Sequence, residues 1–128
     1  MKKGVNLYNI EIEKVILSSM LLKADALNSA LQKLKPVDFY DSAHGFIFSV
    51  IADIAQTGTA PDMPLVSSAL KQRGAGDRII AAFIELVNIP ASFNYMEMIN
   101  EISEHSRKRD ILFKLQKVSE TIATPLSN

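Results

Sequence analysis

The chain contains no cysteine and only two histidines. Disulfide scaffolds, thiol nucleophiles and cysteine-ligated zinc are thereby excluded, a pattern that fits a reducing interior. An excess of charge is missing too: fourteen basic and fourteen acidic residues cancel. The chain as a whole thus has no electrostatic reason to seek nucleic acid or an anionic membrane. Long apolar runs are also absent. The opening "MKKGVNLYNIEIEKV" starts like a signal peptide, but Glu11 and Glu13 arrive before an adequate apolar segment. No later run approaches the roughly 20 residues needed to span a bilayer. The expectation is a soluble, cytoplasmic protein with no membrane partner. What is present is apolar material, 48% of 128 residues, enough for one domain with a real core.

That material has helical spacing. In "NIEIEKVILSSMLL" the apolar positions 12, 15, 16 and 20 share a face widened by 10, 17 and 21, with Asn9 as cap and Glu11 and Glu13 at the positive helix end. A short helix is expected in 25–34, ended by Pro36. Positions 43, 46, 47, 50, 51 and 54 predict a third, capped by Asp41 or Ser42. Asp62 caps a fourth that carries Pro64 in its first turn, with Gly58 ending the helix before it, and "DRIIAAFIELVN" (77–88) gives a fifth closed by Pro90. Asn94 and Glu97 form a capping-box pattern that opens a stretch helical to about 122. Its apolar positions stop at "SEHSRKRD" (103–110) and resume at 111, 112, 115, 118 and 122. Glu104/Lys108 and Asp110/Lys114 are correctly oriented i,i+4 pairs that favour continuity.

The expected fold is all-α: a small orthogonal bundle of about five helices, followed by a long protruding helix that begins a helical hairpin. The divisions are a flexible arm (1–8), a globular body (9–92), the long helix (93–122) and a tail (123–128). The polar middle of the long helix is the expected point of departure from the body. The apolar stripe beyond it has to be buried against something outside the body, either a returning helix or another subunit.

Candidate chemistry centres on "DSAHGFIF" (41–48). As a general base His44 needs an orienting partner, and Asp38 and Asp41 are the sequence neighbours to try. The alternative is a corner residue in the first turn of a helix. His105 is expected to face solvent or a subunit contact, because the two histidines lack metal-ligand spacing. Glu11 and Glu13 do not share a helix face, and "GAG" (74–76) lacks the lysine and length of a phosphate loop. "SRKRD" (106–110) is diluted by glutamates and lacks interleaved aromatics, so direct nucleic-acid binding is not expected. The helix 77–87 is too apolar for a DNA-recognition helix.

The order of four segments is more specific than any one of them. "NIEIEKVILSSMLL", "LKPVDFYDSAHGFIFSVI", "GTAPDMPLVSSALKQRG" and "NIPASFNYMEMINEISEHSRKRDILFKL" together resemble the N-terminal domain of the bacterial replicative DNA helicase that works with primase. The most specific positions are Phe39, Tyr40, Ala43, His44, Ile47 and Phe48, followed by Asn88, Pro90, Ser92 and Asn94. The chain departs from the usual pattern at Glu11, Ile12 and Glu13, at Ser18 in place of glycine, and in glycines displaced toward "GAGD". The substitution at Ser18 is expected to widen a helix crossing.

The resemblance implies no catalytic, cofactor or metal site in these residues. ATP and magnesium belong to a motor expected beyond residue 128. It also implies a hexamer built as a trimer of dimers through a collar of hairpins, docking of the primase C-terminal domain, and a helicase loader as a further candidate partner. On that basis the self-association residues are Tyr95, Met98, Ile99, Ile102, Ile111, Leu112, Leu115 and Val118, with intrachain packing as the competing role of 95–102. Arg107 and Arg109 are candidate primase-facing rim charges, and Phe39, Tyr40, His44 and Phe48 form a structural corner. Two rivals remain: the helicase-binding domain of primase, and a small helical interaction module outside replication.

Overall fold

Asn9 opens the first helix by accepting the Ile12 N–H on its side-chain oxygen at 3.1 Å, which satisfies one of the donors left free at every helix start. The computed structural model describes residues 6–126, and side chains through residue 121. Residues 1–5 of the expected arm and 127–128 of the expected tail lie outside that range. The α-helices are α1 Ile10–Leu22, α2 Ala24–Lys33, α3 Ser42–Gln56, α4 Met63–Gln72, α5 Asp77–Glu85 and α6 Tyr95–Leu126. Two 3-10 turns, Pro36–Asp38 and Leu86–Asn88, precede α3 and extend α5. No strand occurs among the described residues, so the fold is a small all-α bundle with a long final helix.

Helices α1 and α3 are the inner elements. On α1 pack α2 and the first half of α6, while α4 and α5 pack on α3. Between them lie Ile16, Leu17, Ile47, Phe48, Ile51, Val66, Leu70, Phe83, Ile99 and Ile102, each contributing roughly 1.5–3 kcal/mol through removal of apolar area from water. Asp41 caps α3 and Asp62 caps α4, and Gly58 and Gly74 follow their helices at φ 84° and 71°. That left-handed backbone explains why glycine stands there.

Ser18 makes a specific contact across the fold. Its hydroxyl donates to the Ile89 carbonyl, and the neighbouring Ser19 Oγ accepts the Ser92 N–H at 3.0 Å. The two buried serines thereby hold the loop that leads from α5 into α6 against α1.

Helix α6 is continuous over 32 residues, about 48 Å at 1.5 Å per residue. Its departure point is later than the sequence suggests. The polar stretch 103–110 stays on the body: Ser106 donates to the Asp38 carboxylate at 2.7 Å, and Arg109 donates to the Leu7 and Asp38 carbonyls at 2.6 and 2.8 Å. His105 is buried at 7% exposure rather than facing solvent. The body-facing side of α6 therefore continues through 105, 106 and 109, but with polar contacts in place of apolar ones. A hydropathy pattern registers that change as an end.

Candidate interaction site

The His44 corner is a buried network. Glu13, on the first turns of α1, sends its carboxylate to the start of α3, 27 to 31 positions later in sequence. One oxygen accepts the Tyr40 N–H at 2.6 Å; the other accepts the Asp41 N–H at 3.3 Å and lies 2.8 Å from His44 Nδ1. Glu13 and His44 are 2% and 1% exposed. The Glu13 carboxylate sits at the positive end of α3, where it accepts two of the backbone N–H groups left free at the helix entrance. The partner of His44 is thus Glu13 and not Asp38 or Asp41, both of which serve elsewhere. Asp38 binds Ser106 and the Lys35 N–H, and Asp41 binds the Ala43 N–H and Arg78.

A histidine oriented by a carboxylate can act as a general base only where substrate reaches its other nitrogen. Burial denies that here, so the dyad ties α1 to α3. Phe39 completes the corner by packing on Phe48 with ring centroids 5.1 Å apart. Tyr40 instead lies at the surface, stacked on Tyr8 at 3.9 Å, with the Arg109 guanidinium 5.6 Å from its ring. The described end of the N-terminal arm is thereby fastened to α6. Burial opposes ionisation of Asp41, but the Ala43 N–H, His44 and Arg78 outweigh it and hold the carboxyl below its ordinary range. Glu104 also sits below its ordinary range, chiefly through its hydrogen bonds with Arg107.

The two parts of α6 present different surfaces. Ile99 and Ile102 are in the core, and Tyr95 and Met98 pack at its edge. Ile111, Leu112, Leu115 and Val118 are 42–58% exposed, as is Phe113. From Ile102 to Ile111 the helix makes about two and a half turns, and Leu115 and Val118 return to the Ile111 side. Ile111, Leu115 and Val118 therefore lie on the side of α6 opposite its body-facing stripe, while Leu112, seven positions after buried His105, and Phe113, four after Arg109, continue the body-facing side beyond the body. Arg107 is exposed and paired with Glu104 at 2.7 Å, while Arg109 is partly buried on its two carbonyls.

No cluster of three or more metal-ligating side chains exists among the described residues. None of the described helices is long and apolar enough to cross a membrane.

Comparison with known proteins agrees with this geometry. Residues 5–104 match the model of the "DnaB-like helicase N terminal domain" family. A replicative DNA helicase DnaB from Treponema pallidum is 27% identical over 110 residues, covering 82% of this chain and 25% of that protein. A probable replicative DNA helicase from Trieres chinensis is 30% identical over 110 residues, covering 84% of this chain and 24% of that protein. The chain thus spans about a quarter of the length of these relatives. The crystal structure of the N-terminal domain of DnaB helicase from Mycobacterium tuberculosis superposes with a TM-score of 0.85 at 25% identity, covering 94% of this chain and 89% of that one. The N-terminal domain of DnaB helicase from Helicobacter pylori shares the fold with a TM-score of 0.75 at 19% identity, over 88% of this chain and 89% of that one. The family match runs through both the Glu13–His44 corner and the body-packed half of α6, and the chain belongs to the DnaB-like helicase N-terminal domain family.

Proposed function

We propose that this chain is the assembly and docking domain of a replicative DNA helicase. It joins neighbouring copies through the far half of α6 and receives the C-terminal domain of primase. The observation that carries the proposal is the row Ile111, Leu112, Leu115 and Val118, about half exposed on a helix whose other half is firmly packed. Such a row gains stability only when a second apolar surface covers it. In this reading it pairs with a returning helix and with the hairpins of neighbours, building a hexameric collar as a trimer of dimers.

The Helicobacter pylori domain, which shares this fold, is described together with its interactions with primase, and that supports the docking half. ATP and magnesium belong to the motor of the longer protein, which works in the cytoplasm, and a loader is a further partner of the assembly. The rim charges for primase are Arg107 and Arg109.

Sedimentation of the longer helicase carrying Leu112→Asp and Leu115→Asp tests assembly: smaller species are expected, and an intact hexamer at dilute concentration overturns it. Calorimetric titration of the longer helicase with the primase C-terminal domain tests docking.

A further inference from the structure

A groove of about 600 Å³ lies between α6 and the corner that follows α2. Lys33 and Lys35 line one wall, Arg107 and Phe113 the other, and Val37 of the 3-10 turn completes it. Its floor is fixed by the Ser106–Asp38 bond and by Arg109 on the Asp38 carbonyl, so the walls hold their spacing before any ligand arrives.

The charges in this groove do not balance. Its lining carries four cations, Lys33, Lys35, Arg107 and Arg109, against two carboxylates, Asp38 and Asp110, and Asp110 pairs with Lys114 at 3.0 Å. Arg107 is shared with Glu104 alone. Among the described residues no carboxylate lies within ion-pair distance of the Lys33 or Lys35 ammonium group. Val37 and Phe113 are 77% and 57% exposed beside these cations.

We propose that this groove receives an acidic amphipathic segment of a partner protein, its carboxylates meeting Lys33, Lys35 and Arg107 and its apolar side chains covering Val37 and Phe113. Charge complementarity of this kind selects the partner and its register. A single-stranded nucleic acid fits less well. Two carboxylates line the groove, and its one aromatic, Phe113, has the Lys117 ammonium 5.4 Å from its ring, whereas such strands need successive stacking platforms. The groove excludes Ile111, Leu115 and Val118, so the inference stands independently of the assembly row; it shares Arg107 with the primase-docking reading and deepens it by naming the chemistry of the docked segment.

The test uses a fluorescent helical peptide of about twelve residues, long enough to cover Ser103 to Phe113 at 1.5 Å per residue, with glutamates on one face and leucines on the other. Binding is followed by anisotropy. The comparisons are the same peptide with every glutamate changed to glutamine, and a thymidine oligonucleotide of equal charge. The acidic peptide is expected to bind, more weakly as salt rises. Lys33→Glu with Lys35→Glu should weaken it about tenfold or more, and Phe113→Ser should weaken it separately, with thermal midpoints unchanged because all three side chains are exposed. Failure of the acidic peptide to bind overturns the proposal. So does equal binding of the glutamine peptide, insensitivity to the substitutions, or preference for the oligonucleotide.

Discussion

Glu13 satisfies three donors with one carboxylate, and two of them are backbone N–H groups at the entrance to α3. Glu13→Ala would leave those donors without an acceptor and His44 without its partner. A loss of about 1–3 kcal/mol for each buried donor left unsatisfied is expected, measured by urea denaturation. His44→Gln keeps a donor of similar reach and should cost about 1–3 kcal/mol. Asp41 gives the corner its acid sensitivity. Its folded pKa lies below the ordinary value, so its contribution is complete above about pH 4, the unfolded value, and disappears as pH falls through the folded one. Asp41→Asn should therefore flatten the acid limb of the stability curve while costing about 1 kcal/mol of cap energy at neutral pH. Gly45 is a fourth constrained position, since a Cβ there would stand 2.7 Å from the Pro36 carbonyl oxygen. Gly45→Ala is expected to lower the melting temperature, at a cost of about 1–3 kcal/mol. The corner itself is legible in the sequence, because Asp41 before an apolar 3–4 spacing marks a helix start. The Glu13–His44 pair is not, because it joins residues 31 apart and no local period links them. Glu13 reads as an ordinary acid at a helix N-terminus, which hides its burial.

Among the elements, α6 separates what periodicity can convey from what it cannot. Continuity through 103–110 follows from the i,i+4 charge order, and the structure shows one of those pairs, Asp110–Lys114 at 3.0 Å. The attachment of that segment to the body does not follow. It relies on Ser106, Arg109 and buried His105, residue types that belong on solvent-facing positions unless a partner is known. The interior N-caps Asn9, Asp41 and Asp62 were all available from residue type and position. Hydrogen exchange should report the asymmetry along α6. Amides around Ile99–Ser106 are expected to exchange only with global unfolding, and those from Ile111 onward by local fraying in the free domain. Equal protection along the whole helix would contradict a body contact that ends near Arg109.

At the scale of the molecule, the body and the far half of α6 depend on different residues. Ile102→Ala should cost about 2–5 kcal/mol in unfolding and leave association unchanged. Leu115→Asp should do the reverse, because its side chain is 58% exposed in the free domain. Measured in the longer helicase by denaturation and sedimentation, the double variant should show the sum of the two effects within about 0.5 kcal/mol. A substantial interaction term would mean that assembly reaches back into the body. The turn of the helix between Ile102 and Ile111 makes the independence physical, since Ile111, Leu115 and Val118 look away from the side on which Ile102 packs against the body. Each side can accumulate substitutions without spoiling the fit of the other. If the far half of α6 serves the assembly proposed above, a lineage that changes those contacts is free to keep its fold, and that half is where sequences should diverge first.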